Sequence, residues 1–215
     1  MNFLLRKLID VKDRNPNHLA VVEDDWSVTY SQFVEIVYSM ASAFVPILEK
    51  SESKCVAIAM EKGVYAYAAQ FATLMSGGFY LPIDLKSPDN RISQILQSVV
   101  PAILLSDISF ENFLHSKTQL LTTSDLGQRR EVRSMPAHHL AYLKFTSGST
   151  GQPKGVMVNQ NAVINYIDWV LSSFNPKPDD NWSQHPNISF DISVTDIFGA
   201  LTSGATLYPI QSNMD

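Results

Sequence analysis

Between residues 31 and 50, apolar side chains fall at helical spacing. Phe33, Val37, Met40, Phe44 and Leu48 recur every three or four positions, with Val34, Ala41 and Val45 beside them. That stripe predicts an amphipathic helix lying on a core. Pro46 sits inside the pattern, so the helix is expected to kink or end near it, because proline lacks the N–H and crowds the carbonyl four residues back. The run CVAIAM at 55–60 is apolar without alternation, as in a strand buried on both faces. Residues 64–75, rich in alanine and aromatics, predict a second helix closed by Gly77-Gly78. FYLPID at 79–84 reads as a short strand. Ser87 then serves as N-cap with Pro88 at the first helical position, opening a helix over 90–100, and AILLS at 102–106 gives another buried strand.

Strand, helix, strand, helix, strand at this spacing implies right-handed crossovers and a largely parallel sheet with flanking helices. The expected class is α/β. Residues 107–137 are polar and without period, and read as a surface excursion. Beyond them the pattern predicts strands at 141–145 and 155–158, a helix over 161–174, a Pro/Asp-rich turn (NPKPDD), a helix over 193–201 and a strand at 205–210 that would lie near a sheet edge. There is no internal repeat and no low-complexity tract.

Composition sharpens this picture. Hydrophobic residues make up 45% of the chain and charged residues 17%, the latter below the roughly 25% usual for soluble domains. That argues against disorder and for deep burial or a surface meant to be covered. With 16 Lys+Arg against 21 Asp+Glu the formal charge is −5, which gives no basic footprint for nucleic acid or anionic lipid. The one cysteine, Cys55, excludes an internal disulfide and suits a reducing compartment. Its apolar surroundings make it a core thiol rather than a nucleophile. The opening MNFLLRKLIDVKDRN is interrupted by Asp10 before an apolar core of signal length forms, and no uninterrupted apolar run approaches the ~18 residues of a spanning helix. A soluble, cytoplasmic chain with no membrane or nucleic-acid partner is expected. His18, His115, His138, His139 and His185 show no metal-ligand spacing, so no metal site is expected. Trp26, Trp169 and Trp182 have no interleaved basic residues and read as packing residues.

The chemistry concentrates in FTSGSTGQPKGV, residues 145–156. This stretch offers the hydroxyls of Thr146, Ser147, Ser149 and Thr150, the glycines Gly148, Gly151 and Gly155, and the charge of Lys154. Glycines let backbone N–H groups approach an anion closely, hydroxyls donate further hydrogen bonds, and a lysine supplies charge. Composition alone suits either a polyphosphate cradle or a polar hairpin. A nucleoside triphosphatase P-loop is excluded. That motif needs Ser or Thr after the lysine and a helix to follow, whereas here Pro153 precedes Lys154, Gly155 follows it, and the next residues, VMV, read as a strand.

As a string, LAYLKFTSGSTGQPKGVMV (140–158) resembles the phosphate-binding signature of adenylate-forming enzymes, the family of acyl-CoA synthetases, luciferases and amino-acid-activating adenylation domains. Three more segments match in the family's order: VTYSQF (28–33), LMSGGFYLPID (74–84) and SFDISVTDIFGALTSGATL (189–207). The last resembles the motif whose Phe-Asp begins an amino-acid pocket, which points to the amino-acid-activating branch, whether of nonribosomal peptide synthetases or free-standing carrier-protein ligases.

The resemblance implies the first part of the large N-terminal domain of such an enzyme. It implies ATP-dependent activation of an amino acid as an aminoacyl-adenylate, with Mg2+ carried in with ATP, followed by loading onto the phosphopantetheine thiol of a carrier protein. Thr146, Ser147, Gly148, Ser149, Thr150, Gly151 and Lys154 would embrace the β- and γ-phosphates. Asp191 would pair with the substrate's α-ammonium group; its alternative role is to cap the helix that begins near Ser193. Phe190 would pack beneath substrate and adenylate, and Ile192 and Thr195 would line the side-chain pocket. Asp196 reads as part of a solvated helix face. The family continues with a Tyr-Gly-Pro-Thr-Glu segment, a ribose aspartate, and a C-terminal subdomain carrying a catalytic lysine, and none of these strings occurs in the 215 residues. The expectation is therefore a partial adenylation domain over 1–215, a fragment or split part whose companion chain supplies the rest. The alternative is a non-catalytic remnant or a nucleotide- and amino-acid-binding module.

Overall fold

The computed structural model describes residues 2–110, 115–127, 135–147 and 153–211. Two sheets organise it. The larger has six strands: β3 (Cys55–Ile58), β4 (Phe79–Pro82), β5 (Ile103–Leu105), β6 (Gln119–Leu121), β7 (Leu140–Ser147) and β8 (Pro153–Asn159), in the order β6-β5-β3-β4-β7-β8. All neighbours are parallel except β7 and β8, which form an antiparallel hairpin. The smaller sheet joins β1 (Leu19–Val22), β2 (Ser27–Thr29), β9 (Asn181–Gln184) and β10 (Thr206–Pro209) in the order β2-β1-β10-β9. The helices are α1 (Phe3–Arg14), α2 (Tyr30–Lys50), α3 (Val64–Met75), α4 (Asp89–Val99), α5 (Gln160–Phe174) and α6 (Ser193–Ser203).

Strand alternation decides which helices cover which face. On β3, Val56 and Ile58 join the main core with α2, α3 and α6, whereas Cys55 and Ala57 join a second cluster with Ile92, Ile95 and Leu96 of α4. Both faces of β3 are therefore buried, which is why its sequence is apolar without alternation. Cys55 is fully buried, and that burial pushes its thiol pKa up.

Most predicted elements are present, with instructive departures. The helix through Pro46 does not end there but runs to Lys50. Pro46 lies on the exposed side of the helix, between the buried Phe44 and Leu48. Core packing on both sides of it holds the turn. At its other end α2 is closed by a capping box, with Thr29 Oγ1 accepting from Gln32 N and Gln32 Oε1 accepting from Thr29 N at 2.8 Å. By length and composition α2 is also long and apolar enough to cross a membrane; its apolar face instead packs in the core. Ser87 is not the cap of α4: Pro88 takes that position and the helix begins at Asp89. The segment read as a surface excursion contains β6, whose Leu120 and Leu121 extend the parallel sheet past β5.

Besides β6, four more elements escaped the periodicity reading: α1, whose Leu4, Leu5, Leu8 and Val11 are buried, and the short strands β1, β2 and β9. They overturn the edge position expected for the strand at 205–210. β10 is internal, hydrogen-bonded in parallel to β1 on one side and β9 on the other.

Candidate functional site

The β7–β8 hairpin builds one side of the site. Cross-strand register sets Thr146 opposite Lys154 and Ser147 opposite Pro153. Gly148, Ser149, Thr150 and Gly151 lie outside the described residues. Thr146 and Lys154 are exposed, and Thr146 Oγ1 donates to Lys154 O at 3.4 Å. A side chain at 155 would be crowded. A Cβ there would lie 3.0 Å from Leu143 Cδ1 and 3.3 Å from Phe145 Cζ, so both side chains pack over the bare backbone.

The other side is the tight turn that enters α6. Phe190 N donates to Asn187 O (3.0 Å), Ser193 N to Phe190 O (3.2 Å) and Val194 N to Asp191 O (3.0 Å). Asn187 Nδ2 also donates to Asp84 Oδ1 at 3.0 Å, which ties this turn to the end of the FYLPID segment. Asp191 is exposed, and one carboxylate oxygen accepts from Ile192 N at 2.9 Å. The N-cap position of α6 is Ile192, without a side-chain cap bond, so Asp191 does not serve α6 as a cap.

A cavity of about 470 Å3 runs between the two sides, lined by Thr146, Lys144 and Tyr142 from β7, by Ser189, Phe190 and Asp191 from the turn, and by Arg91 and Asp84. Asp191 also lines a second hollow of about 480 Å3 with Ile192, Val158 and Tyr166. The fold thus brings Thr146, Phe190 and Asp191 together and sets Ile192 beside them. Lys154 and Thr195 line neither hollow; Thr195 Oγ1 hydrogen-bonds the hydroxyl of Tyr166 at 2.8 Å. Hydroxyl and ammonium donors at the hairpin suit an anion such as a phosphate. Among the described residues no group of three or more His, Cys, Asp or Glu is arranged to hold a metal ion.

Two charged residues behave differently from the sequence reading. Asp196 does not lie on a solvated face. It is half-buried, and burial raises its carboxyl to about 6 against the opposing effect of His185. Lys144, which the sequence reading passed over, is 5% exposed. Its ammonium donates to Phe190 O and to Ser193 Oγ (3.2 Å) and lies 5.0 Å from the Tyr142 ring centroid. Burial pushes its pKa down to about 7, and the Asp191 charge partly opposes that shift. A charge within the buried strand LAYLKF, on the same face as Tyr142 and Thr146, was the signal available in the sequence.

Comparison with known proteins agrees with this geometry. The profile of the AMP-binding enzyme family matches residues 9–215. Bacitracin synthase 1 of Bacillus licheniformis is 34% identical over 201 residues, 91% of this chain and 4% of that protein. The D-alanine–D-alanyl carrier protein ligase of Staphylococcus haemolyticus is 28% identical over 218 residues, covering 100% of this chain and 44% of that one. Among solved structures, the nonribosomal peptide synthetase FmoA3 in its AMPPNP-bound form superposes with a TM-score of 0.85 at 29% identity, covering 99% of this chain and 23% of that one. The chain therefore spans less than half the length of these relatives.

Proposed function

The chain belongs to the AMP-binding enzyme family, and from that premise we propose that it activates an amino acid with ATP for loading onto a carrier protein, as part of a larger adenylation domain that works in the cytoplasm. The amino acid's carboxylate attacks the α-phosphorus of ATP, an aminoacyl-adenylate forms, and pyrophosphate leaves. A phosphopantetheine thiol of the carrier protein then displaces AMP. Chemistry of this kind depends on positioning and on stabilising charge.

The observation that carries the reading is the shared cavity. It sets Thr146, at the mouth of the hydroxyl-rich loop, on the same wall-to-wall space as Asp191. On this reading residues 146–151 and Lys154 hold the β- and γ-phosphates, with Mg2+ arriving on the nucleotide. The Asp191 carboxylate holds the α-ammonium, with one oxygen already fixed by Ile192 N. Phe190 and Ile192, both more than half exposed, await substrate on their side of the turn. Exposed apolar residues on the adjoining surface, Met157, Trp169 and Phe174, are consistent with cover by the remainder of the domain, in the same polypeptide or in a companion chain.

The test is ATP–pyrophosphate exchange across the standard amino acids, with the 215-residue chain alone and with the rest of the adenylation domain supplied. Exchange that depends on one amino acid or a few, and on the supplied part, is the expected result. Exchange with none of them, or exchange indifferent to the amino acid, would remove the assignment.

A further inference from the structure

Lys144 poses a problem of physical chemistry. A lysine with 5% exposure has given up most of its hydration, and in a buried strand an apolar residue would be the stable choice. Its neighbours on that face, Tyr142 and Thr146, both line the cavity. The ammonium is spent on the turn that precedes α6: it donates to the carbonyl of Phe190 and to the hydroxyl of Ser193. Those two acceptors bracket Asp191. Ser193 Oγ in turn lies 2.6 Å from Phe190 O and 3.2 Å from Ile188 O, so the turn closes on a small buried network with the lysine at its base.

No other described hydrogen bond from the side chains of β7 reaches this turn, and the turn's second anchor, Asn187 to Asp84, comes from the segment that follows β4. Asp191 itself is exposed and makes one local hydrogen bond, so its position follows the backbone that Lys144 grips. Two residues further along β7 lies Thr146, where the phosphate loop begins. Lys144 is therefore the side-chain link from the strand that leads to the phosphates to the turn that carries the ammonium-binding carboxylate. Their spacing matters, since misplacing reactive groups by about 1 Å can cost on the order of 10²-fold in rate.

We propose that Lys144 is a positioning residue of the amino-acid subsite, gripping the 190–193 turn from β7 so that Asp191 stands in register with the phosphate loop. The proposal rests on the assignment of Asp191 to the α-ammonium, and its test separates the two.

Three variants are compared: Lys144→Met, Lys144→Arg and Asp191→Asn. In the 215-residue chain, hydrogen exchange of residues 189–195 should speed up at least about tenfold in Lys144→Met, as a closed local structure gives way to an open one, and recover in Lys144→Arg. In the completed ligase, with the amino acid that supports the parent's exchange, Lys144→Met should raise the amino-acid KM about tenfold while the ATP KM stays within about twofold, and Lys144→Arg should restore most of the loss. Unchanged exchange protection in Lys144→Met overturns the grip. A raised KM in Asp191→Asn with a normal KM in Lys144→Met overturns the positioning role and leaves Asp191 standing. A normal KM in Asp191→Asn removes the reading beneath both.

Discussion

Tyr30 and Ala205 stand 175 positions apart, yet the Tyr30 hydroxyl donates a 2.7 Å hydrogen bond to the Ala205 carbonyl. The tyrosine of the VTYSQF segment is fully buried at the start of α2, and the carbonyl lies at the junction of α6 and β10. The bond fixes the start of α2 to the residue that leads into β10, one of the two internal strands of the smaller sheet. Tyr30→Phe keeps the ring packing and strands the carbonyl, which should cost about 1–2 kcal/mol. For a chain of this size that is a fall of roughly 2–8 °C in melting temperature, readable by circular dichroism.

Asp191→Asn, with the complete domain present, should weaken amino-acid use far more than ATP use. A substrate ammonium enclosed without its anionic partner loses on the order of 3 kcal/mol, or about 10²-fold in KM. Pyrophosphate exchange measured against both substrates checks this, and a proportional rise in the ATP KM would move Asp191 out of the amino-acid subsite.

Lys154→Ala should slow adenylate formation by about 10²-fold, the usual effect of removing one donor to a developing charge. Transfer from preformed aminoacyl-adenylate to the carrier thiol should be spared, because pyrophosphate has left by that stage. Single-turnover measurements of the two half-reactions separate these outcomes, and equal slowing of both would reassign the loop.

Stability should depend on pH in two opposite senses. Asp196 has a folded pKa near 6, raised above its unfolded value by burial. The folded state therefore holds a proton that the unfolded state releases, and stability falls as pH rises from about 4 to about 6. Lys144 has a folded pKa near 7, lowered by burial. The unfolded state binds the extra proton above that value, so stability rises from about pH 7 upward towards the unfolded lysine pKa. Lys62, also lowered by burial, adds to the same rise. Urea titrations from pH 4 to 9 should show a minimum near pH 6–7, and Lys144→Met should flatten the upper limb.

The sequence by itself determined the elements whose burial is simple. The stripe on α2 was legible from its helical period, the run of β3 from its shortness and unbroken apolar character, and α3 from its length and closing glycines. The hairpin that carries Thr146 and Lys154 was legible as well, from its own glycines and hydroxyls. The short strands β1 and β9 left no such period. They are strands because β10 lies between them, and β10 is internal because they flank it, a mutual dependence that local sequence does not carry. The same holds for the site. Asp191 could be named from its motif, but its approach to Thr146 is set by Lys144 from β7 and by Asp84 from the end of β4, through bonds spanning 46 and 103 positions. Burial also gave Lys144 and Asp196 their shifted pKa values, because desolvation depends on what packs around a charge, and that is decided only when the chain has folded.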